Sequence, residues 1–260
     1  MSVTAHAPGS VTIVFVPQDE DSSLGISLAT ADGVTATVER AREPLIYLDD
    51  RPAQVDPVTG VLDRLGVTAT VRLDLDIPIG CGFGASGAAT LATALAANER
   101  FSLGHERPAL VEMAHRAEVA AGTGLGDVFI QDQGGLVWDT GNGLERSTRS
   151  ARIEYESFGG ITTAAVLGDQ STISKVMEAG RDVLTTLDPN GSLSTLFECS
   201  WEFAQRTGLA TERVAGAVER IEKAGGTATM AMLGETVVAA GTNGVLDHHT
   251  QITPEGAVLQ

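Results

Sequence analysis

Cysteine is scarce in this chain, whose 260 residues include only Cys81 and Cys199. Two cysteines cannot build the disulfide framework of a small secreted domain. Cys81 also lies inside a glycine-rich segment, where a cross-link would obstruct a ligand. We therefore expect two free thiols and a reducing, cytoplasmic location. The five histidines and two cysteines follow no metal-ligand spacing, which argues against a histidine- or cysteine-based metal centre.

Lysine is equally rare, with Lys175 and Lys223 the only two among 17 basic residues. Against 34 acidic residues this leaves a net charge of −17. No basic patch is visible, so the composition argues against binding to nucleic acid. Acidity with so little lysine is typical of proteins from salt-in halophiles, because molar salt screens the self-repulsion of carboxylates. An unusually acidic mesophilic protein is the alternative interpretation.

Long apolar runs are missing as well. No stretch of 18 apolar residues and no secretory signal occur, so no membrane insertion is expected. The hydrophobic content of 43% is ordinary for a globular protein. A chain of this length can bury a substantial core, as one large domain or two small ones.

The most informative segment present is the glycine-rich stretch 77–89, which leads straight into an alanine-rich helix. Glycine lets the backbone approach a phosphate closely, and a helix N-terminus offers free N–H groups and a positive dipole end. The sequence therefore predicts a nucleotide phosphate here, with Ser86 able to reach a magnesium ion. The predicted nucleotide-binding residues are Pro78, Gly80, Gly82, Gly84, Ala85, Ser86 and Gly87.

Other glycine loops fit less well. Residues 82–87 match the dinucleotide fingerprint G-x-G-x-x-G, but the preceding strand alternates apolar and polar residues, unlike a buried parallel strand. A P-loop is excluded because no G-K-[ST] follows. A tight strand-to-helix turn without a ligand remains the alternative.

A second cluster contains Glu118, near the end of an amphipathic helix, and Asp127, after the glycine break 123–127. A magnesium–nucleotide enzyme needs few protein carboxylates, because water and phosphates supply most of the ligands. It also needs an acceptor for the proton of the attacking hydroxyl. Ser86, Glu118 and Asp127 suit those tasks. The alternative makes Glu118 a surface helix residue and Asp127 a turn or N-cap residue.

Periodicity predicts an α+β fold. Strands are expected at 11–16, 24–30 and 34–39, with a hairpin turn at Asp32-Gly33, and at 67–77. Helices are expected at 58–65, at 86–99 and from Pro108. The second half is predicted as β-α-α-α-β-β: a strand at 161–167, three helices (the first capped by Ser171), and strands at 227–233 and 236–240. His248-His249 is interpreted as a solvated turn. We place a domain boundary at residue 158, giving domains 1–158 and 159–260.

Three segments resemble motifs of the GHMP kinases, a superfamily of small-molecule kinases. They are Ala7-Pro8-Gly9-Ser10-Val11, the loop 78–88 and the glycine-containing segment 225–234. The resemblance covers essentially the whole chain. It implies an N-terminal domain like ribosomal protein S5 domain 2 and a ferredoxin-like C-terminal domain, with ATP as co-substrate.

Within that superfamily, segments 82–88, 114–119 and 123–128 are most similar to those of the archaeal pantoate kinases. This resemblance implies that Ser86 and Glu118 hold Mg²⁺ and that Asp127 is the catalytic base. It further implies that Ser23, His115 and Arg116 bind a small hydroxy acid; for Arg116 a solvated helix residue is the alternative. A homodimer is left open.

Three positions depart from the family pattern, because Ser10, Leu24 and Asp139 stand where positive charges are usual. Each removes a charge that could hold a carboxylate or phosphate. Two other functions therefore stay open: a GHMP kinase for shikimate, homoserine or mevalonate, and a nucleotide-binding sensor without catalysis.

Overall fold

The computed structural model describes residues 1–19, 22–160 and 169–260. Within these ranges the fold combines helices with a mixed, 12-stranded sheet, which confirms the predicted α+β class. The strands are β1 (Ser2–Pro17), β2 (Ser23–Arg40), β3 (Leu45–Leu48), β4 (Arg51–Pro52), β5 (Ala69–Leu75), β6 (Leu136–Asp139), β7 (Glu145–Ser147), β8 (Ala151–Gly160), β9 (Thr227–Met230), β10 (Gly234–Ala240), β11 (His248–Ile252) and β12 (Val258–Leu259). The helices are α1 (Asp56–Leu65), α2 (Ala85–Phe101), α3 (Arg107–Ala121), α4 (Asp127–Gln133), α5 (Gln170–Thr186), α6 (Leu193–Thr207) and α7 (Glu212–Lys223).

The long antiparallel pair β1–β2 is the backbone of the sheet. Across the sheet the strands follow the order β4-β3-β5-β2-β11-β8-β10-β9, and β1, β6, β7 and β12 pair off this path. β5 pairs with residues 34–40 of β2, whereas β6 pairs with residues 25–28. On the other side β1 pairs with β2 over nearly its whole length, and with β12 at Ala5 and His6. One strand, β2, therefore organises most of the N-terminal half.

The predicted hairpin turn at Asp32-Gly33 is wrong. β2 runs straight through these residues, and the register jumps from Pro8↔Gly33 to Gly9↔Thr30, so two residues of β2 are left over as a bulge. A Cβ on Gly33 would lie 2.1 Å from the Ala7 carbonyl oxygen. Glycine is required here for close strand contact rather than for a reversal of the chain.

Helix α2 lies in the middle of the N-terminal half and packs against β1, β2, α1 and α3. Its residues from Ala85 to Ala97 are buried on every face apart from Ser86. Because this helix is enclosed on all sides, it has no solvent-facing polar side, and its alanines let the neighbouring elements approach closely. Its first turn is thereby held at a fixed position beneath the glycine loop.

The second half departs from the prediction in two places. Helix α5 is capped by Asp169, which accepts a 2.9 Å hydrogen bond from the Thr172 amide, so the predicted cap at Ser171 is wrong. His248-His249 forms the start of β11, paired with β8, and is not a turn. The strand expected at 161–167 falls outside the described residues. The domain boundary at residue 158 stays a prediction; β8 spans that position.

No helix within the described ranges is both long enough and apolar enough to cross a membrane.

Candidate active site

The glycine loop between β5 and α2 owes its shape to left-handed backbone at three glycines. The φ angles of Gly80, Gly82 and Gly84 are +70°, +86° and +62°, a region that other L-residues rarely adopt. The loop is tied to the sheet at two points. The Ser10 amide donates to the Phe83 carbonyl at 2.9 Å, and the Thr236 hydroxyl donates to the Cys81 carbonyl at 2.8 Å.

Close packing joins the loop to the other two glycine-containing motifs. A Cβ on Gly84 would lie 2.2 Å from Ser10 Oγ, and a Cβ on Gly234 would lie 2.0 Å from the Cys81 carbonyl oxygen. Such contacts leave no room for a side chain at either position. The motif containing Ser10, the loop, and the segment 225–234 therefore meet at one place, although they are far apart in the sequence.

Ser86 and Glu118 form a hydrogen-bonded pair at the N-terminus of α2. The Ser86 hydroxyl donates to Glu118 Oε1 at 2.8 Å, Thr90 donates to the same oxygen at 2.9 Å, and Thr123 donates to Oε2 at 2.9 Å. Glu118 is only 2% exposed. The alternative interpretation of Glu118 as a surface residue is therefore wrong.

The environment of Glu118 raises the pKa of its carboxyl group above the ordinary value of 4.5. The main cause is desolvation by burial, to which the nearby charge of Asp127 adds. The hydrogen bonds from Ser86, Thr90 and Thr123 act in the opposite direction, because they favour the ionised form. The pair therefore provides a carboxylate whose charge is stabilised by three hydroxyl groups.

Asp127 is the first residue of α4, and its side chain does not cap that helix. Its Oδ1 instead accepts a 2.6 Å hydrogen bond from Ser10 Oγ on β1. Burial of the carboxyl group raises the pKa of Asp127 above 3.8, and the bond from Ser10 partly offsets this. The alternative of a simple N-cap or turn residue is wrong. A carboxylate with a raised pKa beside a glycine loop suits the role of a proton acceptor.

The glycine loop and Asp127 open onto a common cleft of about 1040 Å³. Its lining includes most of the residues predicted from the sequence: Ser23, Gly80, Gly82, Gly84, Ala85, Ser86, Gly87, His115, Arg116 and Asp127. Two predicted residues do not line it. Pro78 lies outside, at the start of the loop, and Glu118 lies behind Ser86.

His115 and Arg116 differ in their surroundings. The His115 ring is 9% exposed, lies 4.8 Å from the Phe129 ring between centroids, and has an Nδ1 atom without a hydrogen-bond partner in the part of the chain described. Arg116 is exposed, and its Nε donates to Glu112 Oε1 at 2.6 Å. Both line the cleft, but the charge of Arg116 is already paired.

The sequence analysis missed Arg64 on α1, which also lines the cleft. Its Nη2 donates to the Arg116 carbonyl at 3.1 Å, and it has no ion-pair partner over the described ranges. No local pattern marks Arg64, because it is 22 positions from Ser86 in an ordinary amphipathic helix. Gln131, which bonds to the loop at Gly84, was missed for the same reason.

The three positions that lack a positive charge all lie at this site. Leu24 and Asp139 line the cleft, and Ser10 holds Asp127. Asp139 accepts bonds from the Gly141 and Gly143 amides at 2.7 and 3.2 Å, so its carboxylate closes its own turn.

The donor set at Ser86 suits a hard cation. A hydroxyl and a carboxylate oxygen 2.8 Å apart are oxygen ligands, which Mg²⁺ prefers, with its other positions filled by water and phosphate. Among the described residues there is no group of three or more histidine, cysteine, aspartate or glutamate side chains arranged to hold a metal alone. A magnesium ion would therefore need water or phosphate oxygens to complete its shell.

These features define an α+β protein with a glycine loop and a helix N-terminus opening onto a large cleft. Residues 56–135 match the family of GHMP kinases N terminal domain. This segment is therefore assigned to the GHMP kinase N-terminal domain family, in agreement with the loop motif 78–88 that resembles these kinases.

Relatives and a solved structure agree with this assignment. The chain is 28% identical to the pantoate kinase of Methanocaldococcus jannaschii over 89% of this chain and 90% of the relative. It is 26% identical to the pantoate kinase of Methanospirillum hungatei over 92% of this chain and 87% of the relative. A solved phosphotransferase related to the CoA biosynthesis pathway superposes with a TM-score of 0.85 at 20% identity, covering 100% of this chain and 99% of the other. That likeness establishes the GHMP kinase fold.

Proposed function

We propose that this protein transfers the γ-phosphoryl group of ATP to pantoate, giving 4-phosphopantoate for coenzyme A biosynthesis. The observation that carries the proposal is that Ser86 and Asp127 face one cleft at the mouth of the glycine loop. The first offers a metal-ligating hydroxyl and the second a proton acceptor. Similarity to pantoate kinases over about nine tenths of the chain supports the choice of substrate.

The glycine loop is proposed to hold the triphosphate. Left-handed glycines at 80, 82 and 84 expose backbone N–H groups, and the first turn of α2 adds its unpaired amides and its dipole. Glycine at these positions permits the left-handed turns with which the loop lines the cleft. Phosphoryl transfer depends mainly on such positioning and on stabilisation of charge.

Ser86 and Glu118 are proposed to hold Mg²⁺, which when bound neutralises charge on the β and γ phosphates. Ser86 reaches the cleft directly. Glu118 lies behind it and keeps the hydroxyl oriented through a 2.8 Å hydrogen bond. Thr90 and Thr123 fix the carboxylate in turn, so the pair is ordered before a ligand arrives.

Asp127 is proposed to accept the proton of the primary hydroxyl of the substrate. The hydroxyl oxygen forms a bond to the γ-phosphorus, the bond between that phosphorus and the β–γ bridging oxygen breaks, and ADP leaves. The proton lost by the hydroxyl passes to Asp127. Transfer to a carboxylate is favoured here because desolvation raises its pKa.

The carboxylate of the acid needs positive or hydrogen-bonding partners in the cleft. Ser23, His115 and Arg116 are proposed for this role on the basis of the family resemblance. Arg64 adds a cation that has no ion-pair partner within the described ranges. It offers a replacement for the charges absent at Leu24 and Asp139. A reducing cytoplasm is proposed as the setting, supported by the two free thiols.

The test is a panel of acceptors offered to the purified full-length chain with Mg²⁺ and ATP in molar potassium chloride. ADP release and the phosphorylated product are measured with pantoate, homoserine, mevalonate and shikimate. We expect the highest kcat/KM with pantoate. A higher value with another acid would reassign the substrate within the superfamily, and nucleotide binding without turnover on any acid would favour the sensor.

A further inference from the structure

We propose that Ser10 and Gln131 are positioning residues, which lock the carboxylate of Asp127 and the backbone of Gly84 into one rigid unit. The inference rests on the proposed function, in which Asp127 is the proton acceptor. Neither residue was predicted from the sequence to have this role. Both are fully buried, at 0% exposure, and they come from opposite sides of the loop: Ser10 from β1 and Gln131 from α4.

The hydroxyl of Ser10 has one proton, and it is committed to Asp127. The donor and Oδ1 are 2.6 Å apart, a short distance for a bond to a carboxylate. With that oxygen held by Ser10, Oδ2 is left to receive another proton. It lies on the side of Gly124, where an added Cβ would be 3.6 Å from Oδ2.

Gln131 holds Ser10 and the loop together. Its Nε2 donates to the Gly84 carbonyl at 2.7 Å and to Ser10 Oγ at 3.4 Å, which accounts for both amide protons. Its Oε1 has no partner in the described part of the chain. The residue therefore acts through its donors, and the cost of an unpaired buried oxygen is tolerated at this point.

Gly84 explains why the unit is rigid. The space that a Cβ would fill is bounded by Ser10 Oγ at 2.2 Å, Gln131 Nε2 at 2.8 Å and Asp127 Cγ at 3.2 Å. Three side chains from β1 and α4 thus close on one glycine of the loop. The position of the proton acceptor is coupled in this way to the backbone proposed to hold the phosphates.

The test is a double-mutant cycle on Ser10→Ala and Asp127→Asn in the full chain, followed by kcat, by both KM values and by unfolding. We expect Ser10→Ala to lower kcat about 10- to 100-fold, the range for loss of a hydrogen bond to a charged group, with both KM values unchanged. In the Asp127→Asn background the same change should have little further effect on kcat, because Ser10 acts through Asp127. Gln131→Met should lower kcat and also raise KM for ATP, since it frees Gly84.

Ser200→Ala is the matched control. Ser200 is likewise 0% exposed, and its hydroxyl donates to the Ile13 carbonyl of β1 at 2.7 Å, outside the cleft lining. It should lose stability and keep kcat. The inference is overturned if Ser10→Ala keeps the kcat of wild type, or if the effects of Ser10→Ala and Asp127→Asn on kcat multiply fully in the double variant. In either case an active wild type upholds the proposed function. A wild type without turnover on any acid overturns both.

Discussion

Replacing Gly84 by alanine is expected to damage the loop more than any other single methyl group added there. A residue with a Cβ pays roughly 1–2 kcal/mol to hold the left-handed φ of +62°. The added carbon also falls 2.2 Å from Ser10 Oγ and 2.8 Å from Gln131 Nε2. Overpacking of a well-filled site typically costs about 1–3 kcal/mol. The free energy of unfolding should therefore fall by about 2–5 kcal/mol in total.

Gly80→Ala separates the two contributions. Gly80 belongs to the same loop and has a φ of +70°, but no heavy atom lies within 4 Å of the position of its Cβ. The free energy of unfolding of Gly80→Ala should therefore fall only by the backbone cost of roughly 1–2 kcal/mol. The remaining difference of about 1–3 kcal/mol corresponds to roughly 2–12 °C in Tm for a chain of this size.

The assay is thermal and urea unfolding of both variants in the same potassium chloride buffer, together with kcat. Gly84→Ala should also lower kcat, because the new methyl group displaces the hydroxyl that holds Asp127. Equal melting temperatures for the two variants would refute the packing argument. A Gly84→Ala protein with normal kcat would show that Ser10 and Asp127 tolerate the shift.

Four further predictions follow from the same geometry. Ser86→Ala and Glu118→Gln should weaken turnover at limiting Mg²⁺, measured as the magnesium dependence of kcat. Burial raises the pKa of Glu118, so its ionised form destabilises the fold as the pH rises. The Glu118→Gln variant should therefore melt no lower than wild type at neutral pH. Asp127→Asn should lower kcat by roughly 100-fold or more with little change in ADP affinity, and a change confined to KM would argue against a base. In wild type, the acid limb of the pH profile, where Asp127 becomes protonated, should lie above pH 3.8. Arg64→Gln should raise KM for an anionic substrate, with Arg146→Gln, outside the cleft, as the control in steady-state kinetics. Thermal unfolding from low to molar potassium chloride should show a rising Tm, and a flat or falling midpoint would reject the halophilic interpretation.

Local patterns in the sequence predicted a strand or helix correctly wherever a segment buries only one of its faces. The alternation in β5 and the apolar stripe of α7 are examples, because the spacing of the apolar residues shows directly which face is buried. They failed where a distant strand decides the outcome. Asp32-Gly33 has the composition of a turn, but β2 continues through it, because β1 pairs with β2 on both sides of the bulge and β5 pairs with β2 from Val34 onward. His248-His249 likewise becomes a strand because β8 offers an edge.

The sequence by itself determined which functional groups are available near the glycine loop. A glycine loop before an alanine-rich helix, a hydroxyl at its mouth, one carboxylate before a second glycine break and another at the end of that break predict a phosphate site with a base, because each signal is local. Only the tertiary structure decided how those groups are oriented. Ser10 and Asp127 are 117 positions apart, and Arg64 reaches the cleft from a helix without any motif. Hydrogen bonds between distant segments depend on the packing of β1, α2 and α4, which no local pattern encodes.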